Sequence, residues 1–488
     1  MGGRILTKKH PKLTLMMLLP LLLSVVFLKL YVSGAPEDTL PPSETSIDAV
    51  RTSLVSAEQR TAVTTDGYLS FTTAEKTHLT PTETRTDTPL TVLSPTVEFL
   101  PLVTGLPDTP PLALETLPRP FAPVLVTGLP DTPPISLPEI APVASDATVA
   151  AFVATVHRLD FPKSESIGKT ALQKELDAMV EKAKEAGINT LYFQVRPASD
   201  AFYASDLFPA SRYLTKEEGG KMPLDILSYL VKAAHRKGIR VHAWINPYRV
   251  TAVGEALSSL SPDNPAHQLS SDLLYVGGGY TYDPASERVK ELIVKGVAEI
   301  VSRYEVDGIL FDDYFYPAGI TDEDLDSFLA YQRSGGDLSL GDFRREQVNE
   351  LVRRCFFAIK EIDPDCLFGI SPRGIWRNRK DDPRGSDTTG AASYDEVYAD
   401  ALTWVEGGYL DYIAPQLYWS FNESAAPFRT LADWWQTALS GSKVSLTFAL
   451  APYRLGKEEL SAEIFYLSSL PNTDGYALFR FSYLGSAR

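Results

Sequence analysis

From residue 148 onwards the chain repeats one pattern, a short apolar run followed by an amphipathic stretch. Strands are expected near 151–156, 190–195, 239–245, 308–312, 367–371, 411–417, 445–450 and 475–482. Helical spacing fills the gaps, over Thr170–Ala186, Leu224–Lys237, Pro284–Tyr304, Phe343–Ile362, Tyr394–Val405, Pro427–Leu439 and Lys457–Leu470. The first of these carries Leu172, Leu176, Met179, Val180 and Ala183 on one stripe and stops at Gly187, and the second stops at Gly238. Glycine supplies the left-handed residue with which many helices end. Apolar runs this short and this continuous suit parallel strands covered on both faces. Eight such units in about 340 residues predict an α/β fold, a (β/α)8 TIM-type barrel with enlarged loops over 149–488. About six residues follow the eighth run, so its helix is expected to be missing or replaced. The alternative, a doubly wound sheet, lacks the GxGxxG turn that would support it.

The preceding residues obey other rules. Lys8, Lys9 and Lys12 stand before an apolar run from Leu13 to Leu28 that resumes after Lys29. A positive segment ahead of an apolar one predicts export, so 1–32 is expected to be a signal peptide or a membrane anchor, the latter through 13–32. A spanning helix needs ~20 apolar residues, and the run reaches that length only if Lys29 snorkels. Residues 33–148 hold 18 of the 36 prolines and 22 threonines, with 15 acidic against 5 basic residues. Proline at this density removes backbone donors and fixes φ, which predicts a disordered, extended Pro/Thr-rich linker. LVTGLPDTPP occurs at 102–111 and again at 125–134, a duplication too brief for a solenoid. An extracytoplasmic, cell-envelope location is expected from these two segments.

Charge and cysteine content remove several function classes. A net charge of −16 argues against nucleic acid as a partner. Two cysteines, Cys355 and Cys366, build neither a zinc site nor an iron–sulfur cluster, and six scattered histidines contain no HxH or HExxH. No metal and no cofactor is expected. Asp322–Asp326 fails the calcium-loop pattern, because Ser327 and Arg333 stand where Gly and Glu are required.

In a barrel of this type, chemistry sits where the strands end. Polar and aromatic residues gather there: Asp160 after the first run, Gln194, Arg196 and Asp200 at the second, and His242, Trp244, Asn246, Tyr248 and Arg249 at the third. The fourth run ends in Asp312, Asp313, Tyr314 and Tyr316, the fifth leads to Arg373, and the sixth ends in Gln416, Tyr418 and Trp419. Period-two alternation puts Gln194 with Arg196 on one face, and His242 with Trp244 and Asn246 on another. Aromatic faces stack on the C–H faces of sugar rings while amides and guanidinium groups bond hydroxyls, so a polysaccharide is the expected partner. Glycosidic hydrolysis needs two carboxyl groups. Asp312 and Asp313 are the best-placed pair if the strand ends or bulges between them, and Asp160 or Asp200 is the alternative partner. Arg196 can instead serve as an ion-pair partner of Asp200 or Asp160, and His242 as a core histidine.

The segments FQVRPASDAFYAS, HAWINPYR, VDGILFDDYFYP, FGISPRGIW and DYIAPQLYW, in this order, resemble the motif series of the family 10 glycosyl-hydrolase-like proteins. The resemblance covers roughly 150–488. It implies a TIM-type barrel, an extracytoplasmic location and glycan hydrolysis, since the family includes envelope enzymes that cut peptidoglycan strands lacking stem peptides. It further implies Asp312 and Asp313 as catalytic acids, with Arg196, Asp200, Asn246, Tyr248, Arg249, Tyr316, Gln416 and Tyr418 lining glycan subsites. DGILFDDYFYP is more distantly similar to the DGxDxDxEYP strand of chitinase-type enzymes, but a tyrosine stands in place of the glutamic acid. The alternatives are a non-catalytic glycan-binding or scaffold protein on a barrel, and a glycosidase of another polysaccharide.

Overall fold

The computed structural model describes residues 147–485, Ser166 excepted. The expected export segment, and all but the last two residues of the expected linker, lie outside the described residues. Among the described residues no helix is long and apolar enough to cross a membrane.

The strands are, in chain order, β1 (Thr148–Val153), β2 (Thr190–Arg196), β3 (Arg240–Ile245), β4 (Leu273–Val276), β5 (Gly279–Tyr282), β6 (Gly308–Phe311), β7 (Leu367–Ile370), β8 (Tyr412–Ile413), β9 (Ser445–Leu450) and β10 (Gly475–Leu478). β4 and β5 pair antiparallel as a separate hairpin. The other eight pair in parallel in the order β1-β10-β9-β8-β7-β6-β3-β2 and close on β1, so the barrel expected from the sequence is present. Around it lie α1 (Lys169–Glu185), α2 (Ile226–His235), α3 (Glu287–Arg303), α4 (Leu325–Arg333), α5 (Leu340–Ile362), α6 (Ala401–Glu406), α7 (Phe428–Ala438) and α8 (Lys457–Ser468). Side-chain caps start several of them: Asp225 accepts from the Ser228 N–H, Ser286 from Val289 and Ser339 from Asp342.

Alternation along the strands divides two cores. Val241, Ala243 and Ile245 of β3 face the helices, while Trp244 packs on the barrel axis with Phe152, Tyr192, Leu310 and Tyr412. The axis holds so many rings because small residues oppose large ones. A Cβ on Gly308 would lie 2.7 Å from His242 Nδ1, and one on Gly369 would fall inside the Tyr412 ring.

The N-terminal ends of the strands are tied by a recurring device. The Asn189 side chain, just before β2, accepts from the Val149 N–H (3.0 Å); Asp307, before β6, accepts from Val241 (2.7 Å). Asp411, before β8, accepts from Phe368 (2.7 Å), and Asp474, before β10, accepts from Leu446 (2.7 Å). Every second barrel strand thus satisfies a donor of its neighbour, away from the mouth.

Boundaries shift for physical reasons. The sixth run pairs continuously only at Tyr412–Ile413, because Pro415 has no N–H to donate, and pairing resumes as single bridges at Gln416. Tyr398, at φ 53°, breaks the expected Tyr394–Val405 helix into a short turn and α6. After β10 only a 3-10 turn, Phe481–Tyr483, follows among the described residues. The hairpin is an addition to the expected element order. Its two-residue loop, Gly277–Gly278, takes φ of 60° and 85°, the left-handed pair that tight hairpins require.

Replacing Asp307 by Ala strands the buried Val241 N–H. Guanidinium unfolding of Asp307→Ala is expected to show a loss of about 1–3 kcal/mol with an unchanged slope.

Candidate active site

On β6, Gly308 and Leu310 point to the barrel axis and Ile309 and Phe311 to the helices. Asp312 continues the inward face. Pairing stops at Phe311, so Asp313 is free of the alternation, and both carboxyl groups line one cavity of about 450 Å3 at the C-terminal mouth.

The two acids meet different surroundings. Asp312 is buried, and its Oδ2 accepts from Trp244 Nε1 (2.9 Å) and Asn246 Nδ2 (3.4 Å). Burial, reinforced by the neighbouring Asp313 charge, pushes its pKa up to about 7, against opposing contributions from Arg249 and Trp244. Asp313 accepts from Gln416 Nε2 (3.0 Å) and faces Arg373 Nε at 3.6 Å. Arg373 is held in turn by Glu396 (2.7 Å). Asn246 Oδ1 accepts from the Arg249 N–H (3.2 Å), and the Arg249 guanidinium lies 4.2 Å from the Tyr314 ring centroid. Tyr418, Tyr453 and Phe479 add an aromatic wall, with the two tyrosine centroids 5.7 and 6.2 Å from that of Phe479. Asp200 also lines the cavity, its pKa raised to about 6 by burial.

Of the residues singled out from the sequence, the mouth gathers Gln194, Asp200, Asn246, Arg249, Asp312, Asp313, Tyr314, Tyr316, Arg373, Gln416 and Tyr418. Five lie elsewhere. Asp160 clasps the first and last strands: its carboxylate accepts from Arg480 Nη1 (2.6 Å) and from the Ser482 and Ala154 N–H groups (both 2.9 Å). Arg196 does not share the face of Gln194. A register shift between them pairs Arg196 with Ile245, and both then face the helices, where the guanidinium lies 3.7 Å from the Phe208 ring centroid. His242 sits on the axis below the mouth, bonded to the Tyr412 hydroxyl (2.7 Å), and burial lowers its pKa to about 3, so it is a neutral core histidine. Tyr248 turns into the helix-side core while its carbonyl accepts from Tyr282 N–H. Trp419, next to cavity-facing Tyr418, packs against Gly374.

Trp244, Tyr453, Phe479 and Arg480 line the cavity as well. Alternation along β3 marks Trp244; an aromatic just beyond the last strand marks Phe479. The remaining wall, with His157, Arg212, Tyr213, Glu218, Glu255 and Tyr280, comes from loops and the hairpin that strand patterning does not reach.

A closed parallel barrel with paired carboxyls and aromatic walls at its C-terminal mouth defines a protein of the glycoside-hydrolase type. The model of the family described as "Glycosyl hydrolase-like 10" matches residues 149–466, and the chain belongs to that family. It is 36% identical over 323 residues to glycosyl hydrolase YngK of Bacillus subtilis (strain 168), covering 65% of this chain and 63% of that protein. It is 38% identical over 363 residues to glycosyl hydrolase DigH of Escherichia coli (strain K12), covering 68% of this chain and 82% of that protein. Among solved structures, the glycoside hydrolase domain of PgaB (BpsB) from Bordetella bronchiseptica aligns with a TM-score of 0.49 at 14% identity, covering 69% of this chain and 94% of that one. Membership makes this chain a glycoside hydrolase related to polysaccharide chemistry.

The raised pKa of Asp312 has a sign that stability measurements read. The folded state holds this proton more tightly than the unfolded chain, so its contribution is full below the ordinary aspartate range and is lost as pH rises towards about 7. Asp312→Asn carries no such loss and keeps an acceptor for Trp244. Its thermal midpoint is expected to exceed that of the parent at pH 8, with the margin shrinking towards zero below about pH 4.

Proposed function

We propose that this protein is an exported glycoside hydrolase that cleaves bacterial cell-wall glycan, peptidoglycan strands lacking stem peptides, with Asp312 as general acid and Asp313 as base or nucleophile. The observation that carries the reading is the contrast within one cavity between two adjacent carboxyls. One is bonded only by neutral donors and keeps its proton near neutrality; the other has a cationic neighbour in Arg373. Two groups separated in this way divide the work of glycosidic cleavage. Trp244 and Asn246 both donate to Oδ2 of Asp312, while Oδ1 meets only the long bond from the Tyr314 N–H (3.4 Å) and is the oxygen that carries the proton towards the leaving oxygen. Gln416 and Arg373 hold Asp313 against the attacking water or the sugar carbon. Supporting the cell-wall substrate are the motif series and the N-terminal pattern of an apolar run followed by a Pro/Thr-rich stretch, which suits action outside the cytoplasm.

Incubation with amidase-treated peptidoglycan is expected to release new reducing ends. Asp312→Asn and Asp313→Asn should each lower kcat by about 10²- to 10⁴-fold, and the parent rate should fall as pH rises through about 7 and Asp312 loses its proton. Undiminished release by both variants would refute this assignment, and glycan binding without any release would point to a non-catalytic barrel.

A further inference from the structure

Past the acidic pair the cavity continues under the β4–β5 hairpin, whose tyrosines have no part in the reaction just described. Tyr275 and Tyr280 stand directly opposite each other in the hairpin register, ring centroids 4.8 Å apart at 53°. Tyr280 lines the cavity, whereas Tyr275 is 55% exposed beyond it. Val253, 54% exposed, continues the apolar rim, its Cγ1 3.2 Å from where a Cβ on Gly278 would sit. Aromatic rings left in water at the lip of a cleft keep their stacking faces available to a ligand.

The hairpin is fixed to the mouth. Val250 and Thr251 N–H donate to the Tyr280 carbonyl (both 3.1 Å), Tyr280 N–H donates to Thr251 Oγ1 (2.9 Å), and Tyr282 N–H donates to the Tyr248 carbonyl (2.9 Å). Arg249, which precedes Val250, lies over Tyr314, and Tyr314 follows Asp313. A continuous track therefore joins the acids to the tyrosine pair. Along it Arg212 pairs with both Glu218 (3.1 Å) and Glu255 (3.3 Å). The outer end of the track presents ring faces, those of Tyr275 and Tyr280.

We propose that Tyr275 and Tyr280 form a remote sugar-binding platform, so that the enzyme grips a polysaccharide at units beyond those flanking the scissile bond. The inference rests on the glycan-hydrolase reading. Binding energy from remote units raises turnover of long chains over short ones.

The full-length protein is assayed on stem-peptide-free glycan strands sized into short and long fractions. Tyr275→Ala is expected to lower the ratio of kcat/KM for long over short strands by about three- to tenfold, and Tyr275→Trp to restore it. Retention of the Asp312→Asn protein on insoluble long glycan should weaken by a similar factor when Tyr275→Ala is added. An unchanged ratio, or an equal loss on both fractions, overturns the platform while leaving the hydrolase reading intact. A parent enzyme that cuts neither fraction overturns the hydrolase reading and the platform with it.

Discussion

Closing a parallel sheet on itself removes every edge and leaves polar work to the two ends of the strands. In this chain the seam between β1 and β10 is covered by the 3-10 turn Phe481–Tyr483, since among the described residues no α-helix follows β10. Asp160 closes it with three accepted bonds, from Arg480, Ser482 and Ala154. Burial raises the Asp160 pKa while the Arg480 charge opposes that rise, and a buried pair of this kind costs about 3–5 kcal/mol to break by removing one partner. Arg480 and the adjacent Phe479 also line the cavity, so the clasp that shuts the barrel sets the aromatic wall beside the acids.

The mouth then sorts its charges. Glu218 and Glu255 share Arg212, Asp313 faces Arg373, and Arg373 itself pairs with Glu396. Asp312 is given only neutral donors next to a like charge, which with burial holds its proton nearer neutrality than those of ordinary aspartates, and Asp200 is raised for the same reasons to a smaller extent. The clusters around Asp312 each set two carboxylates against one guanidinium, which makes a polar wall of acidic balance.

Much of this was legible from residue order because strand periodicity is short and strict. The eight runs, their helices and the inward position of Asp312 follow from period two and period 3.6. What escaped are events that interrupt the period. One bulged residue turned Arg196 from the mouth to the helix layer, and Pro415 cut the sixth strand to two continuously paired residues. His242 shares the inward face with Trp244 and Asn246, but alternation does not say how deep along the axis a residue lies, and His242 is too deep to touch a ligand. Asp160 looked like a second acid because nothing local shows that its partner is Arg480, which lies 320 residues further on.

The same motif segments carry both the site and its supports. In RPASD, Asp200 reaches the cavity while Ser199 Oγ bonds the Tyr282 hydroxyl (2.7 Å) and Asn264 (3.0 Å), tying the loop after β2 to the hairpin. In INPYR, Asn246 and Arg249 face the cavity while the Tyr248 backbone receives β5. Each segment therefore fixes the distance between the acids and the hairpin as it presents its own polar group. A cleft assembled in this way is in place before a sugar chain arrives, and the ordering cost that a flexible rim would levy on binding is already met in folding.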